Sequence, residues 1–286
     1  MDIKVFFHKP TFTLTYIAYD QETKDAVVID PVIDYNANSA SYSYEATKEV
    51  VEFLQNESLN LHYIIETHAH ADHISGAPYV KEKFPQAKTM IHENIKSVQE
   101  VFKGVLNIGS LKTDGSQFDH LTKDNELIEA GSLKIKTIAT PGHTPACACF
   151  LINDEALFSG DAIFMPDYGT GRCDFPKGSA TDLYNSVMNK LYMLPDHLKY
   201  YTGHDYQPGG RELMYQSTIG ASKANNVRLT AETTEAEFVA AREKRDAELD
   251  VPKLLLPSIQ LNINAGLFPE PEDNGTMYLK LPFTKA

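Results

Sequence analysis

The stretch ETHAHADHISG, residues 66–76, is the feature that most restricts how this chain can fold. Within a few positions it places His68, His70, Asp72 and His73. The preceding run LHYIIET (61–67) is typical of a strand, and the residues after Asp72 have helical spacing that ends at Pro85. The pattern therefore predicts a strand-to-helix loop that carries four metal-seeking side chains, in a place where layered α/β folds commonly put functional sites.

Three more predicted strands end in the same kind of side chain. Residues 132–140 alternate as a strand and lead to His143, residues 155–164 include Asp161, and residues 197–204 end at His204. Short strands at the N-terminus pair most naturally as hairpins, and the apolar spacing of 181–194 predicts a helix. These patterns indicate an α/β fold with a two-sheet core and outer helices, and a common site where the strand ends meet.

The remaining segments complete the predicted organisation. We expect a polar loop over 34–44 and helices over 45–56, 211–223 and 234–249. The stretch 251–275 is rich in Pro and Gly and is expected to wrap the surface. The prediction is one domain over residues 1–286, with a C-terminal extension from about residue 230 that wraps the core.

Charge and composition exclude several classes of partner. The formal net charge is -13, from 26 Lys+Arg against 39 Asp+Glu, and such a surface repels nucleic acid. No apolar run approaches the roughly 20 residues that span a bilayer, and the N-terminus has no pattern of a secretory signal. The three cysteines, Cys147, Cys149 and Cys173, suit a reducing compartment, so we predict a cytoplasmic protein with no membrane partner. We interpret the charged helix at 234–249 as a solvated face, and a homodimer contact stays open.

The imidazole and carboxylate side chains at the strand ends suit zinc, iron or manganese. Because none of these positions is a cysteine, a Cys-rich structural zinc site is disfavoured. An isolated histidine is usually an ordinary hydrogen-bonded residue, and we interpret five of them so: His8, His62, His92, His120 and His197. That interpretation is weak for the clustered residues, because burying so many ionisable groups without a metal would cost several kcal/mol each. The predicted metal set is His68, His70, Asp72, His73, His143, Asp161 and His204.

The segments H-x-H-x-D-H, TPGHT, SGDAIF and TGHD, in this order, resemble the ligand motifs of the metallo-β-lactamase superfamily. The resemblance covers residues 1 to about 230. It implies an αββα sandwich, in which two facing mixed sheets carry outer helices and the metal site lies at one edge.

Residues 169–179, GTGRCDFPKGS, are similar to a loop of one branch of that superfamily, the persulfide dioxygenases. This resemblance implies a cytoplasmic non-haem Fe(II) enzyme that oxidises glutathione persulfide, or a similar small persulfide, with O2 to sulfite and a thiol in sulfide detoxification. It implies one iron per chain held by His68, His143 and Asp161, with His70, Asp72, His73 and His204 around it. It also points to substrate contacts by Tyr206, Arg228 and Arg172. The branch often has Cys where Thr170 stands.

Two other functions stay open. Other branches of the superfamily are dinuclear zinc hydrolases of thioesters, as in glyoxalase II, or of lactones. In that arrangement Asp161 bridges two ions, with His68, His70 and His143 on one and Asp72, His73 and His204 on the other. The other open function is that of a non-enzymatic binding protein that senses persulfide or metal. Arg172 also has a second interpretation, in which it holds its loop through Asp174.

Overall fold

Two six-stranded sheets lie face to face in residues 1–283, the part of the chain that the computed structural model describes. The strands are β1 (Asp2–His8), β2 (Thr13–Tyr19), β3 (Asp25–Ile29), β4 (Val32–Asn36), β5 (Ser41–Ser43), β6 (Asn60–Ile65), β7 (Ile74–Ser75), β8 (Lys88–His92), β9 (His120–Thr122), β10 (Leu127–Ala130), β11 (Leu133–Ala139), β12 (Ala148–Ile152), β13 (Ala156–Gly160), β14 (Lys199–Thr202) and β15 (Gln216–Thr218). The helices are α1 (Glu45–Asn56), α2 (Ala77–Lys83), α3 (Ile95–Val105), α4 (Ala180–Asn189), α5 (Ile219–Asn225), α6 (Glu235–Asp246) and α7 (Leu255–Asn262).

Both large sheets are mixed. The first has the order β1-β2-β3-β6-β8-β9, with antiparallel pairs at its N-terminal end and parallel pairs from β3 to β9. The second has the order β10-β11-β12-β13-β14-β15, and only its β13–β14 pair is parallel within residues 1–283. A small third sheet, β5-β4-β7, lies beside the loop that carries the histidines.

Strand β2 shows why the sheets pack with one face inward and the other toward helices. Its side chains alternate, as in any strand. Leu14 and Tyr16 join the core between the sheets, where they meet Phe150 and Phe158 of the second sheet. The next residue, Ile17, points to the other face and belongs to a separate cluster with buried apolar residues of α1 and α2.

The second sheet is covered in the same way. Leu183 and Val187 of α4 and Phe238 of α6 form one buried cluster with Leu151 and Leu157 of the sheet. Helices therefore lie outside both sheets, and the predicted αββα fold class is confirmed.

Several local predictions are confirmed and others are wrong. The helix predicted at 45–56 is α1. The region predicted as a loop at 34–44 contains most of the β4–β5 hairpin. The helix expected directly after Asp72 begins only at Ala77, because β7 comes first. The helix predicted over 211–223 is wrong in its first half, since β15 precedes α5.

The C-terminal segment is more than a surface wrap. Its Pro- and Gly-rich part includes α7, where Ser258, Ile259, Gln260, Leu261 and Asn262 are all buried. Helix α7 lies against β7, beside the histidine-bearing loop. The division into one domain with an extension from about residue 230 stays a prediction.

Among residues 1–283, no helix has the length and apolar character needed to cross a membrane.

Candidate metal centre

The side chains predicted to bind metal come together at one edge of the two sheets. Two glycines allow the chain to deliver them. Gly142, just before His143, has φ +146, and a Cβ there would lie 2.4 Å from Leu183 Cα. Gly160, just before Asp161, has φ +48 and packs its backbone against Thr67. Both turns therefore require glycine, and each one presents the next residue to the site.

His68, His143 and Asp161 form a first donor group. Each offers one ligand atom, and these atoms lie within 4.8 Å of one another. Asp161 Oδ2 is 3.5 Å from His143 Nε2 and 4.0 Å from His68 Nε2. Two imidazoles and one carboxylate are thus gathered in a space that a single cation can fill.

Hydrogen bonds fix which ring nitrogen of these histidines faces the site. His143 Nδ1 donates to the carbonyl of Arg172 at 2.6 Å, so its Nε2 keeps a free lone pair. The Thr67 hydroxyl donates to Asp30 at 2.8 Å, and its oxygen accepts from His68 Nδ1 at 3.0 Å. His68 Nε2 therefore also presents a lone pair toward Asp161, as metal-binding histidines usually do.

A second donor group consists of His70, Asp72, His73 and His204, again with one atom from each within 4.8 Å of the others. His204 Nε2 lies 3.2 Å from Asp72 Oδ2 and 3.6 Å from Asp161 Oδ1. Asp161 therefore faces both groups, one oxygen toward each.

His70 differs from the other histidines because its Nε2 is held by two buried carboxylates. It donates to Asp30 at 3.0 Å and lies 3.3 Å from Glu66. Burial lowers the pKa of His70, but the charges of Asp30 and Glu66 outweigh burial and leave that pKa well above its usual value. Burial raises the pKa of Glu66, whereas His70 and the bonds from Thr67 outweigh burial at Asp30 and lower its pKa.

His68 and His73 both have pKa values below the usual range, which favours the neutral imidazole. Burial, assisted by the charge of His70, holds the pKa of His68 well below its usual value. The same two causes lower the pKa of His73 to about 4. A metal ligand must be an unprotonated imidazole, so these environments favour metal binding at neutral pH.

The donor set fits a cation. Several buried atoms in residues 1–283 have no hydrogen-bond partner: His68 Nε2, His70 Nδ1, Asp72 Oδ2, His73 Nε2, Asp161 Oδ1, His204 Nδ1 and His204 Nε2. A buried polar group left unpaired costs about 1–3 kcal/mol. A cation among these atoms removes that cost, and together they form a metal-binding His/Asp cluster.

A cavity of about 480 Å³ opens beside His143 and Asp161. The three predicted substrate-contacting residues, Tyr206, Arg228 and Arg172, all line it. The Tyr206 ring stacks on His204, with centroids 5.5 Å apart, and on Tyr168, at 4.6 Å. Burial raises the pKa of Tyr206 well above its usual value, so its hydroxyl stays protonated and can donate a hydrogen bond.

Arg172 uses its donors on its own loop and on the segment after α6. It makes a paired contact with Asp174, with both N···O distances 2.6 Å, and donates to the carbonyl of Asp250 at 2.8 Å. This is the loop-holding arrangement given above as its second interpretation, and it leaves less of the guanidinium for a substrate. The neighbouring Cys173 is buried, and burial raises the pKa of its thiol to about 12. Cys173 is not among the residues that line the cavity, whereas Thr170 is.

Some residues around the site were missed by the sequence interpretation. Asp30 and Glu66 hold His70, and Asn262 of α7 donates to the carbonyls of His70 and His73. Arg242 and Arg245 of α6 line the cavity, although that helix was interpreted as a solvated face. The sequence offers one signal, the Asp30-Pro31 pair that ends the β3 pattern. This pair does not show that Asp30 contacts His70, 40 residues later.

Comparison with known protein families agrees with this geometry. The model of the metallo-β-lactamase superfamily matches residues 9–204, from the turn between β1 and β2 to the last candidate ligand. The chain belongs to the metallo-β-lactamase superfamily. The match supports an enzyme of this superfamily.

Individual relatives carry different names. The chain is 44% identical to "Glyoxylase B2" of Dictyostelium discoideum, over 98% of this chain and 96% of that protein. It is 32% identical to human mitochondrial "Persulfide dioxygenase ETHE1", over 88% and 82% of the two chains. The crystal structure of ETHE1 from Myxococcus xanthus superimposes with a TM-score of 0.75 at 28% identity, covering 93% of this chain and all of that one. The resemblance to persulfide dioxygenases is thus confirmed, and the relative with higher identity has a different name.

Proposed function

We propose that this superfamily member is a persulfide dioxygenase that uses one Fe(II) per chain. The observation that carries the proposal is the separation of the donors into two groups. His68, His143 and Asp161 make a set of two imidazoles and one carboxylate that does not include His70. Such a set, with other coordination positions left for substrates, is typical of non-haem iron oxygenases. A dinuclear zinc hydrolase of this superfamily would instead use a nitrogen of His70 on the ion that His68 and His143 bind. The His70 and His68 rings do lie close, with centroids 4.0 Å apart, but Nε2 of His70 is held by Asp30 and Glu66.

The contacts of His70 support this assignment. Its Nε2 is held by Asp30 and Glu66, and one of its ring nitrogens lies within 4.8 Å of donor atoms of Asp72, His73 and His204. In this proposal the second group stays outside the iron coordination. It positions Asp161 through the 3.6 Å approach of His204 Nε2 to Asp161 Oδ1.

The reaction is an oxidation of the terminal sulfur of a persulfide. Iron bound to His68, His143 and Asp161 would supply the site at which that sulfur and O2 meet. The terminal sulfur receives both atoms of O2 and one oxygen from water, and leaves as sulfite. The sulfur–sulfur bond breaks, and the inner sulfur takes a proton from the water to become a thiol.

The protein's own residues orient the reactants. The bond from His143 Nδ1 to the Arg172 carbonyl fixes the His143 ring, and the Thr67–Asp30 pair fixes His68. The protonated Tyr206 hydroxyl and the Arg228 guanidinium line the cavity and suit a substrate with carboxylates, such as glutathione persulfide. The aromatic rings of Phe164, Tyr168 and Tyr206 line the cavity and limit water beside the reacting sulfur.

The deciding experiment measures O2 consumption by anaerobically purified, Fe(II)-loaded protein after addition of glutathione persulfide, with sulfite assayed in the same vessel. We expect O2 uptake and sulfite in nearly equal amounts. H143A should lose at least 100-fold in kcat/KM, because it removes a proposed ligand. H197A, a change of an exposed histidine that belongs to neither donor group, should match the wild type. No uptake from protein shown to carry iron would refute the proposal.

A second function is favoured by one observation. Asp161 presents one oxygen to each donor group, which is the arrangement that bridges two ions in dinuclear hydrolases. The alternative is therefore a dinuclear zinc hydrolase of a thioester or lactone. Two metal equivalents per chain and turnover of such substrates without O2 would establish it. The proposed partners remain glutathione persulfide and O2, and the proposed location remains the cytoplasm.

A further inference from the structure

The cavity beside the metal cluster is rich in arginine, although the protein as a whole is acidic. Four arginines line it: Arg172, Arg228, Arg242 and Arg245. Two of them are neutralised locally, Arg172 by Asp174 and Arg242 by Asp246. In a chain with a net charge of -13, cations gathered around one cavity indicate an anionic ligand.

The other two arginines have little local compensation. Within residues 1–283, the Arg228 side chain makes no hydrogen bond or ion pair. The nearest acid to Arg245 is Glu248 at 4.0 Å, and these side chains are 48% and 59% exposed. A pair at that distance between exposed side chains contributes little. Asp167, which also lines the cavity, is held by Arg211 instead.

Three of the arginines share a smaller crevice. Arg228, Arg242 and Arg245 enclose it together with Phe238 and Ala241, and it contains no residue of the metal cluster. Arg242 is paired with Asp246, so Arg228 and Arg245 are the two arginines of this group whose charges have little local compensation. All five residues of the crevice come after residue 204, where the superfamily match ends.

We propose that Arg245, acting with Arg228, binds a carboxylate of the substrate and so determines which persulfides the enzyme accepts. The inference rests on the proposed function. The ligand class is a small organic persulfide whose organic part carries a carboxylate. A cavity of about 480 Å³ is in the range for molecules of peptide size, which leaves room for the persulfide sulfur beside His143 and Asp161 while a carboxylate lies at the arginines.

The test compares R245A with K244A. Lys244 is the neighbouring cation on α6, is exposed and does not line the cavity. With Fe(II)-loaded protein, R245A should raise the KM for glutathione persulfide about tenfold, because it removes a charge-assisted contact. The KM for the persulfide of 2-mercaptoethanol, which has no carboxylate, should change less than twofold in R245A. K244A should leave both values at the wild-type level.

A binding measurement separates this inference from the proposed function. Isothermal titration calorimetry with glutathione, the product thiol, needs no turnover. R245A should bind glutathione about tenfold more weakly than K244A. If the wild type consumes no O2 but R245A still loses glutathione affinity, the carboxylate subsite stands and the proposed function fails. If R245A binds glutathione with the same affinity as K244A, or if its KM rises equally for both persulfides, the subsite is refuted. The subsite is likewise refuted if the wild type does not bind glutathione.

Discussion

The side-chain amide of Asn262 donates a hydrogen bond of 2.7 Å to the carbonyl of His73, which lies 189 positions earlier in the chain. The same amide donates to the carbonyl of His70 at 2.8 Å, and its oxygen accepts from the backbone of Ser75 at 2.9 Å. Asn262 is only 4% exposed. Helix α7 therefore fixes the backbone of the loop that carries four candidate ligands, and it does so with three of the four hydrogen bonds that one amide can make.

Replacing Asn262 with Ala should destabilise the protein and loosen the metal. The change removes three buried hydrogen bonds and leaves two carbonyls and the Ser75 N–H without these partners, so we expect the free energy of unfolding to fall by about 3 kcal/mol. N262D keeps the shape but cannot donate, and should release metal to a chelator faster than the wild type. Denaturant titration and chelator kinetics are the measurements.

Ser258 provides the matched control for Asn262. It is buried on the same helix, but its hydroxyl has no hydrogen-bond partner in residues 1–283. S258A should therefore change the free energy of unfolding by less than about 1 kcal/mol. Equal losses in N262A and S258A would show that Asn262 acts only by filling space.

His68 and His70 should behave differently when each is replaced with Ala in chelator-treated protein. H70A leaves Asp30 and Glu66 buried without their cationic partner, so we expect a loss of about 3–5 kcal/mol in the free energy of unfolding. H68A removes a neutral imidazole and should cost about 1 kcal/mol, while abolishing metal binding. Denaturant unfolding and metal content measure the two effects. A small stability loss in H70A with complete loss of metal would make His70 a ligand like His68.

The sequence was sufficient to predict the candidate ligands because each one follows a local strand pattern. His143 follows the strand predicted at 132–140, and Asp161 lies within the strand predicted at 155–164, so both positions need only the alternation of a strand and a turn residue. The sheets that bring those strand ends together follow from layer packing. The prediction was therefore strongest where short-range pattern and fold coincide.

The sequence could not predict contacts that depend on distant partners. Nothing near Asn262 shows that its amide meets a loop formed almost 190 residues earlier. The charged pattern of α6 is the same whether Arg245 faces water or a cavity, so its position was not predicted. The helix expected at 211–223 failed for a similar reason: residues 216–218 pair with β14, and this tertiary contact overrides local helical spacing.

Arg211 should be important for stability through Asp205, the residue after His204. Asp205 is 2% exposed, and both its oxygens accept from Arg211 at 2.7 Å. R211A leaves this carboxylate buried without a cation, and we expect the free energy of unfolding to fall by about 3 kcal/mol. R211K should recover only part of that free energy, since Lys cannot donate to both carboxylate oxygens in a fixed plane.

Lys223 offers the comparison for Arg211. It pairs with Asp196, whose side chain is largely exposed, so K223A should cost less than about 1 kcal/mol in denaturant titration. If R211A and K223A unfold at the same denaturant concentration, the Arg211–Asp205 pair has no stabilising role.

Asp25 should make the stability of the fold depend on pH in acid. Its carboxylate accepts from His62 at 2.6 Å, from the Ser132 backbone at 2.8 Å and from Asn60 at 3.2 Å. Burial alone would raise the pKa of Asp25, but these bonds outweigh it and hold the pKa well below its usual value. The stabilisation is therefore present above the unfolded pKa of about 3.9 and is lost as the pH falls toward the folded pKa.

The variant D25N tests this dependence in chelator-treated protein. At pH 5 we expect the wild type to be more stable than D25N by about 1–2 kcal/mol, since the charged carboxylate and its hydrogen bonds are intact. By pH 3 the unfolded chain binds a proton at Asp25 that the folded chain does not, so the difference should shrink by more than half. Urea titrations at both pH values measure it, with E129Q at an exposed position of β10 as the control. A difference that stays constant between pH 5 and pH 3 would mean that the Asp25 carboxylate does not stabilise the fold through its charge.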